Sequence, residues 1–214
     1  SYYDGKVKAT LHGDEKPCIM KEKQGFCARF GKELIFMSKM LYQGHGSFRL
    51  TTDEGKTIYV DPYAGKGYDV PADLILITHE HYDHNDVTRI AHRAPGCRVL
   101  RAADMLQNGV YRTEEAAGVT VQAVQAYNRN HPKEECVGFV LSFDGLTFYA
   151  SGDTSRTEEM EDLAKKHLDY AVYPCDGVYN MDVNEASQCA RLVGARHSIP
   201  MHMKPGALYD EAMA

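Results

Sequence analysis

The 214-residue chain has no uninterrupted apolar run approaching the ~20 residues that a membrane-spanning helix needs, so a membrane class is not expected. Basic charge is not in excess: 24 Lys and Arg stand against 30 Asp and Glu, a net charge of −6. That balance argues against a nucleic-acid partner, which usually calls for a basic face. There is no C-x-x-C pair. The cysteines at 18, 27, 97, 136, 175 and 189 are scattered, and they are expected as reduced thiols of a cytoplasmic protein rather than as a disulfide framework. Internal repeats and low-complexity linkers are missing too. The opening residues, Ser1 to Lys6, show neither a signal-peptide pattern nor an initiator Met, so Ser1 is expected to be a trimmed or appended end.

What is present suits one globular domain with a real core. Apolar residues make up 43% of the chain, an ordinary share, and the length suits a single large domain. Residues 1–40 are weakly periodic and read as an N-terminal extension packed on a domain spanning 41–214. Within the extension, Glu33 to Leu41 reads as a short helix or strand. Ser47–Thr51 and Lys56–Val60 alternate around Asp53-Glu54-Gly55, a hairpin signal. Asp73–Thr78 is a continuous apolar run, as in a strand buried on both faces. Asn85-Asp86 is expected to cap a short helix reaching His92, and Ala102–Gly109 a helix closed by Asn108-Gly109. Further strands are expected at 98–101, 119–126, 137–143, 146–150, 169–173 and 197–202. Helices are expected at 157–166 and 182–193, the last ending at Gly194. This order fits an α/β fold, an αββα sandwich of two mixed sheets flanked by helices.

The densest chemistry lies in His79-Glu80-His81-Tyr82-Asp83-His84, directly after the apolar strand. Three imidazoles and two carboxylates in six residues make a poor core but a good metal-binding strand end. His79 and His81 can reach one ion while Asp83 and His84 point to a neighbouring volume. Zinc-type catalytic sites take about three protein ligands and leave a position open, so more must come from elsewhere. His131, Asp153 and His202 each stand where an apolar strand leaves the core.

With those residues in view, the chain resembles the metallo-β-lactamase superfamily. The His-x-His-x-Asp-His signature stands as His79, His81, Asp83 and His84, and the downstream His, Asp and His match His131, Asp153 and His202. Gly44-His-Gly-Ser-Phe, Val60-Asp-Pro-Tyr, Asn130-His-Pro-Lys, Ser151-Gly-Asp-Thr and Ile199-Pro-Met-His narrow this to small metal-dependent hydrolases related to L-ascorbate 6-phosphate lactonase. That subgroup often has Gly-His-Ala-Ser where this chain has Gly-His-Gly-Ser, and glycines where it has Glu134-Glu135-Cys136. The resemblance implies two divalent metal ions, zinc or manganese first and iron or nickel as alternatives. One would take His79, His81 and His131, the other Asp83, His84 and His202, with Asp153 between them. It also implies hydrolysis of an ester, lactone or phosphoester by a metal-bridging hydroxide, with Asp83 or a metal-bound water managing the proton and a small anionic metabolite as substrate.

Around this set, Asp61 can accept a hydrogen bond from a ligating imidazole and so fix its tautomer. Tyr82, Asn130, Lys133 and Tyr179 are candidates for substrate binding, and His45 reads as structural. A nuclease or cyclic-nucleotide phosphodiesterase on the same fold is the alternative function. The acidic balance and the lack of a long inserted recognition domain count against RNA processing. A diiron redox protein is disfavoured by His81, where that branch carries Glu, and a non-catalytic binding protein by the intact ligand set. Whether the chain forms a homo-oligomer stays open.

Overall fold

The computed structural model describes residues 8–10 and 37–203. Most of the extension, with Cys18 and Cys27, lies outside those residues, as does everything after Met203.

The first sheet contains β1 (Lys8–Thr10), β2 (Lys39–Gly44), β3 (Ser47–Thr51), β4 (Thr57–Val60), β5 (Ala72–Ile77) and β6 (Arg93–Arg101), in that spatial order. Its neighbours from β1 to β4 run antiparallel, and β4, β5 and β6 run parallel. The boundary expected at residue 40 therefore falls inside β2, and Lys8–Thr10 of the extension forms an edge strand. A single turn of helix, α1 (Ala102–Met105), follows, then a small hairpin of β7 (Leu106–Gln107) and β8 (Val110–Tyr111).

The second sheet is built from β9 (Thr113–Ala116), β10 (Val119–Gln125), β11 (Val137–Phe143), β12 (Leu146–Ala150), β13 (Tyr170–Pro174) and β14 (His197–Met201). Here too the first four strands are antiparallel neighbours and the last steps are parallel. The helices α2 (Met160–Leu163) and α3 (Val183–Val193) belong to this half.

The main core lies between the sheets. Phe48, Leu50, Ile58, Leu74 and Leu76 of one meet Val121, Phe139, Leu141, Phe148 and Val172 of the other. A second cluster seals α2 and α3 onto the outer face of the second sheet through Tyr149, Met160, Leu163, Tyr173, Cys189 and Val193. On the outer face of the first sheet, Tyr59, Tyr68, Ile75, Ile77 and Ile90 form a thinner layer. The αββα sandwich is the fold, but its outer layer on the first sheet is mostly loop and one short 3₁₀ turn.

Several expected elements come out differently. The helix expected to reach His92 is only a 3₁₀ turn, Val87–Arg89, capped by Asp86 accepting from the Thr88 amide. The chain is extended again by Arg93, and Pro95 and Gly96 lie within β6. The helix expected over 102–109 stops at Met105. Asn108 and Gly109 both adopt positive φ (52° and 76°), the geometry of a tight hairpin turn, and so they join β7 to β8 rather than end a helix. Ala117-Gly118 turns β9 into β10 in the same left-handed region, adding a strand that was not expected. The helix expected at 157–166 is α2 followed by a 3₁₀ turn, Ala164–Lys166. α3 begins where Asp182 accepts from the Glu185 amide and ends at Gly194 with φ 65°, matching its sequence signals.

Among the described residues no helix is long and apolar enough to cross a membrane, and Cys97, Cys136, Cys175 and Cys189 are free thiols. Phe148 is fully buried and its ring centroid lies 5.5 Å from that of Phe48, across the two sheets. Phe148→Ala should therefore destabilise the fold by about 3–5 kcal/mol, as measured by urea unfolding.

Candidate metal centre

Strand ends of both sheets meet at one edge of the sandwich. β4 delivers Asp61 and β5 delivers Thr78 and the 79–84 run. β12 delivers Asp153, β13 delivers Asp176, and β14 delivers His202. Two backbone hydrogen bonds cross between the sheets here, from the Val137 amide to the Thr78 carbonyl (2.9 Å) and from the His202 amide to the His45 carbonyl (3.0 Å). Three non-glycine residues at this edge hold positive φ: His45 at 52°, Asp61 at 44° and His202 at 46°. Such conformations carry a cost that surrounding contacts must outweigh.

The side chains converge in two groups. His79, His81 and His131 place ligand-type atoms within 4.8 Å of one another, and so do His45, Asp83, His84 and His202. Asp153 stands between them. Its Oδ2 is 3.4 Å from His131 Nε2 and 3.3 Å from His202 Nε2, and its Oδ1 is 3.5 Å from His84 Nε2. His81 is exposed, whereas His79, His84, His131, His202 and Asp153 are buried.

His79, His84 and His131 are hydrogen-bonded through Nδ1, whereas His202 Nδ1 makes only an ion-pair contact. His84 Nδ1 lies 2.9 Å from Asp61 Oδ2, and His131 Nδ1 lies 2.9 Å from Asn128 Oδ1. His202 Nδ1 lies 3.1 Å from Asp176 Oδ2. The Thr78 hydroxyl donates to Asp61 Oδ2 at 2.6 Å, so it has a lone pair to accept from His79 Nδ1 at 3.0 Å. Asp61 also accepts from the Thr78 amide. One carboxylate thus orients two imidazoles, one directly and one through a hydroxyl, and the tethers turn the Nε2 atoms inward.

Charge follows this geometry. Burial, followed by the neighbouring charge of His84, lowers the pKa of His79 to about 2. Burial opposes the charge of His84 as well, but Asp153 and Asp61 outweigh it and raise its pKa to about 9. His202 is raised for a similar reason: burial works against it, and Asp153 and Asp176 win. Burial leads in lowering His131. The Asp153 carboxyl, despite its burial, is held well below the usual range by His84, His202 and His79. Asp83 is half-buried, yet the hydrogen bond from His45 and the charge of His84 bring it down to about 2.

The remaining candidates sit on the rim. Tyr82 is 78% exposed with its ring edge-on to Tyr63, centroids 5.9 Å apart. Tyr179 is half-exposed, and its carbonyl accepts from the side chains of Asn128 and Asn130. Lys133 reaches back over the ring of Tyr127, 5.0 Å from its centroid. Glu134 and Glu135 are exposed beside it.

Four participants were not anticipated in these roles. His45, expected to be structural, joins the centre: its Nε2 lies 3.0 Å from Asp83 Oδ2 and its ring centroid 3.6 Å from that of His202. Asp176 and Asn128 carry no sequence signal of their own, and Asn180 stands only as the end of Gly177-Val178-Tyr179-Asn180, a run that resembles an active-site loop of the subgroup and points to Tyr179. The Gly44-His45-Gly46 turn was the available signal for the first. A Cβ at Gly46 would stand 2.5 Å from His84 Cε1, so the glycine that departs from Gly-His-Ala-Ser lets the ring lie against the turn. For the other three, polar residues next to strand ends are too common to stand out.

Asp61→Ala would strand the Thr78 amide and hydroxyl and His84 Nδ1 in a buried place. It should destabilise the chain by about 3 kcal/mol or more, read by denaturant unfolding.

Comparison with known proteins agrees with this architecture. The profile of the beta-lactamase superfamily domain matches residues 39–202. A protein of Nitratidesulfovibrio vulgaris named UPF0173 metal-dependent hydrolase is 31% identical over 192 residues, covering 77% of this chain and 80% of its own. A crystal structure of a protein from Parabacteroides distasonis, described as a metal-dependent hydrolase, superposes with a TM-score of 0.70 at 33% identity, over 78% of this chain and 82% of that one. The metallo hydrolase Igni18 of Ignicoccus hospitalis shares the fold at 23% identity, with a TM-score of 0.66 over 81% of this chain and 86% of its own. The chain belongs to the beta-lactamase superfamily and, within it, to the family of the UPF0173 metal-dependent hydrolases.

Proposed function

We propose that the chain hydrolyses an ester, lactone or phosphoester of a small anionic molecule with the help of two divalent cations. His79, His81 and His131 would hold one, Asp83, His84 and His202 the other, and Asp153 would be shared. The observation that carries the reading is the set of buried, unpartnered atoms. Nε2 of His79, His84 and His202 and Oδ1 of Asp153 are all buried without a hydrogen-bond partner. Each such atom costs about 1–3 kcal/mol when left unsatisfied, and here all are good ligands aimed into one volume. The donor set, imidazole and carboxylate without thiolate, suits zinc or manganese, with iron and nickel also compatible. Imidazole binds a metal in its neutral form, so affinity should fall as pH is lowered.

When bound, two divalent cations sharing a carboxylate lower the pKa of a water between them and polarise a carbonyl or phosphoryl oxygen. The chain's own residues do the rest. The Nδ1 tethers fix the direction of each Nε2 before any ligand arrives, so little reorganisation is needed. Asp83, partly open to solvent and hydrogen-bonded to His45, takes the proton released by the attacking water. Tyr82 on one side and Tyr179 on the other border the approach. Arg129 and Lys133, on the loop that carries His131, supply the positive charge nearest in sequence to that ligand. The resemblance to a sugar-phosphate lactonase supports an anionic substrate.

The test is elemental analysis of protein purified without added metal, followed by assay against lactones, phosphodiesters and aryl esters before and after chelation. Activity should disappear on chelation and return with zinc or manganese. His81→Ala should keep the far-UV circular dichroism of the wild type and lower kcat/KM by about 100-fold or more, since it removes a ligand rather than a residue that supports one. Hydrolysis that survives exhaustive chelation undiminished would overturn the reading.

A further inference from the structure

One side chain touches more of the centre than any role given so far accounts for. Asn180 lies on the β13–α3 loop. Its Nδ2 stands 2.9 Å from Asp153 Oδ2 and 2.9 Å from Asp176 Oδ2, so the two amide hydrogens can go to two carboxylates. Its Oδ1 accepts from Asn128 Nδ2 at 3.0 Å. Asn128 Oδ1 in turn accepts from His131 Nδ1, and Asp176 Oδ2 faces His202 Nδ1. One planar amide is therefore linked to three proposed ligands: to Asp153 directly, to His131 through Asn128, and to His202 through Asp176.

The loop that presents this amide is itself fixed. Asp176 Oδ1 accepts from the backbone amides of Val178 and Tyr179, at 2.8 and 2.6 Å. The side chains of Asn128 and Asn130 donate to the Tyr179 carbonyl, and Arg129 donates to the Val178 carbonyl. The 128–131 and 176–180 loops are thus strapped together, with Asn180 as the polar side chain on the inner side of the strap.

We infer that Asn180 is a positioning residue that sets the rotamer of Asp153 and couples the ligands on either side of it, so that its loss weakens metal binding at both proposed sites together. The chemistry is specific to an amide. Two donors are needed because both neighbours are carboxylates, and an acceptor is needed because Asn128 spends its own acceptor on His131. Asp153 Oδ2 receives the Asn180 hydrogen bond and Oδ1 has no partner. The amide therefore holds the carboxylate in one rotamer, with Oδ2 facing His131 and His202 and Oδ1 facing His84. This rests on the two-cation reading above, and the experiment keeps the two apart.

Wild-type chain and Asn180→Ala are loaded with Zn²⁺ in competition with a chelator, and with Co²⁺ for its visible spectrum. Residues that orient ligands from behind typically change metal affinity by about 10- to 100-fold. Asn180→Ala should lower Zn²⁺ affinity by that factor for both equivalents and alter the Co²⁺ spectrum, with far-UV circular dichroism unchanged. A variant matching wild type in affinity and spectrum would overturn the inference and leave the two-cation reading standing. Wild-type chain that takes up neither Zn²⁺ nor Co²⁺ would overturn both. If Asn180→Ala does not fold, asparagine-labelled wild-type chain decides by nuclear magnetic resonance. The Asn180 side-chain amide signals should be protected from exchange and shift as Zn²⁺ loads. Signals that exchange freely and stay still through the titration would overturn it.

Discussion

The centre depends on rings that are anchored at one nitrogen and free at the other. A histidine without a partner at Nδ1 can flip or swing, and four of them packed around a carboxylate would do so to relieve crowding. Here each Nδ1 meets a fixed oxygen from Asp61, Thr78, Asn128 or Asp176. That leaves Nε2 of His84, His131 and His202 facing Asp153, at 3.3 to 3.5 Å. Those oxygens are themselves held, Asp61 by the Thr78 amide and Asp176 by two amides of its own loop. Order thus passes from backbone to supporting oxygen to imidazole, and the positive-φ turns at His45, Asp61 and His202 are part of what it costs.

Sequence legibility tracked the range of the interaction concerned. The 79–84 run was readable because its residues are contiguous and follow an apolar strand. The ends of α3 were readable because Asp182 and Gly194 act on their own helix. The Asp144-Gly145 pair between β11 and β12 is local in the same way, with both residues at positive φ, 52° and 73°. Asn108-Gly109 misled because the same left-handed pair can end a helix or turn a hairpin, and the choice lies with whether Leu106–Gln107 can pair with Val110–Tyr111. The Asn85–His92 stretch misled because a cap signal says where a helix can start, not how far it runs.

The supporting residues were harder to see for a different reason. His45 meets Asp83 across 38 positions of sequence, and Asn180 meets Asp153 across 27. The turn around His45 and the Gly177–Asn180 run are weak local marks, since a polar residue in a loop looks the same whether it is solvated or pinned in a network. Asp61 was the exception, because it stands directly after the strand that ends at Val60, where a carboxylate can meet a ligating imidazole. Tyr82 and Lys133, which the sequence offered on equal terms, separate once folded: one stands open at the rim, while the other lies back over Tyr127.

The two sheets share a wiring plan, a run of antiparallel neighbours followed by two parallel steps. They are unequal in what they contribute. The first half supplies its donors in one contiguous burst, while the second supplies them singly from a loop and two strand ends. Neither half holds all of the converging donors, and the seam between them is stitched by the very backbone bonds that flank the histidines. Reactivity in this molecule is therefore a property of the joint: shear the halves past each other by the width of one side chain and both would keep their strands, while the chemistry would be gone.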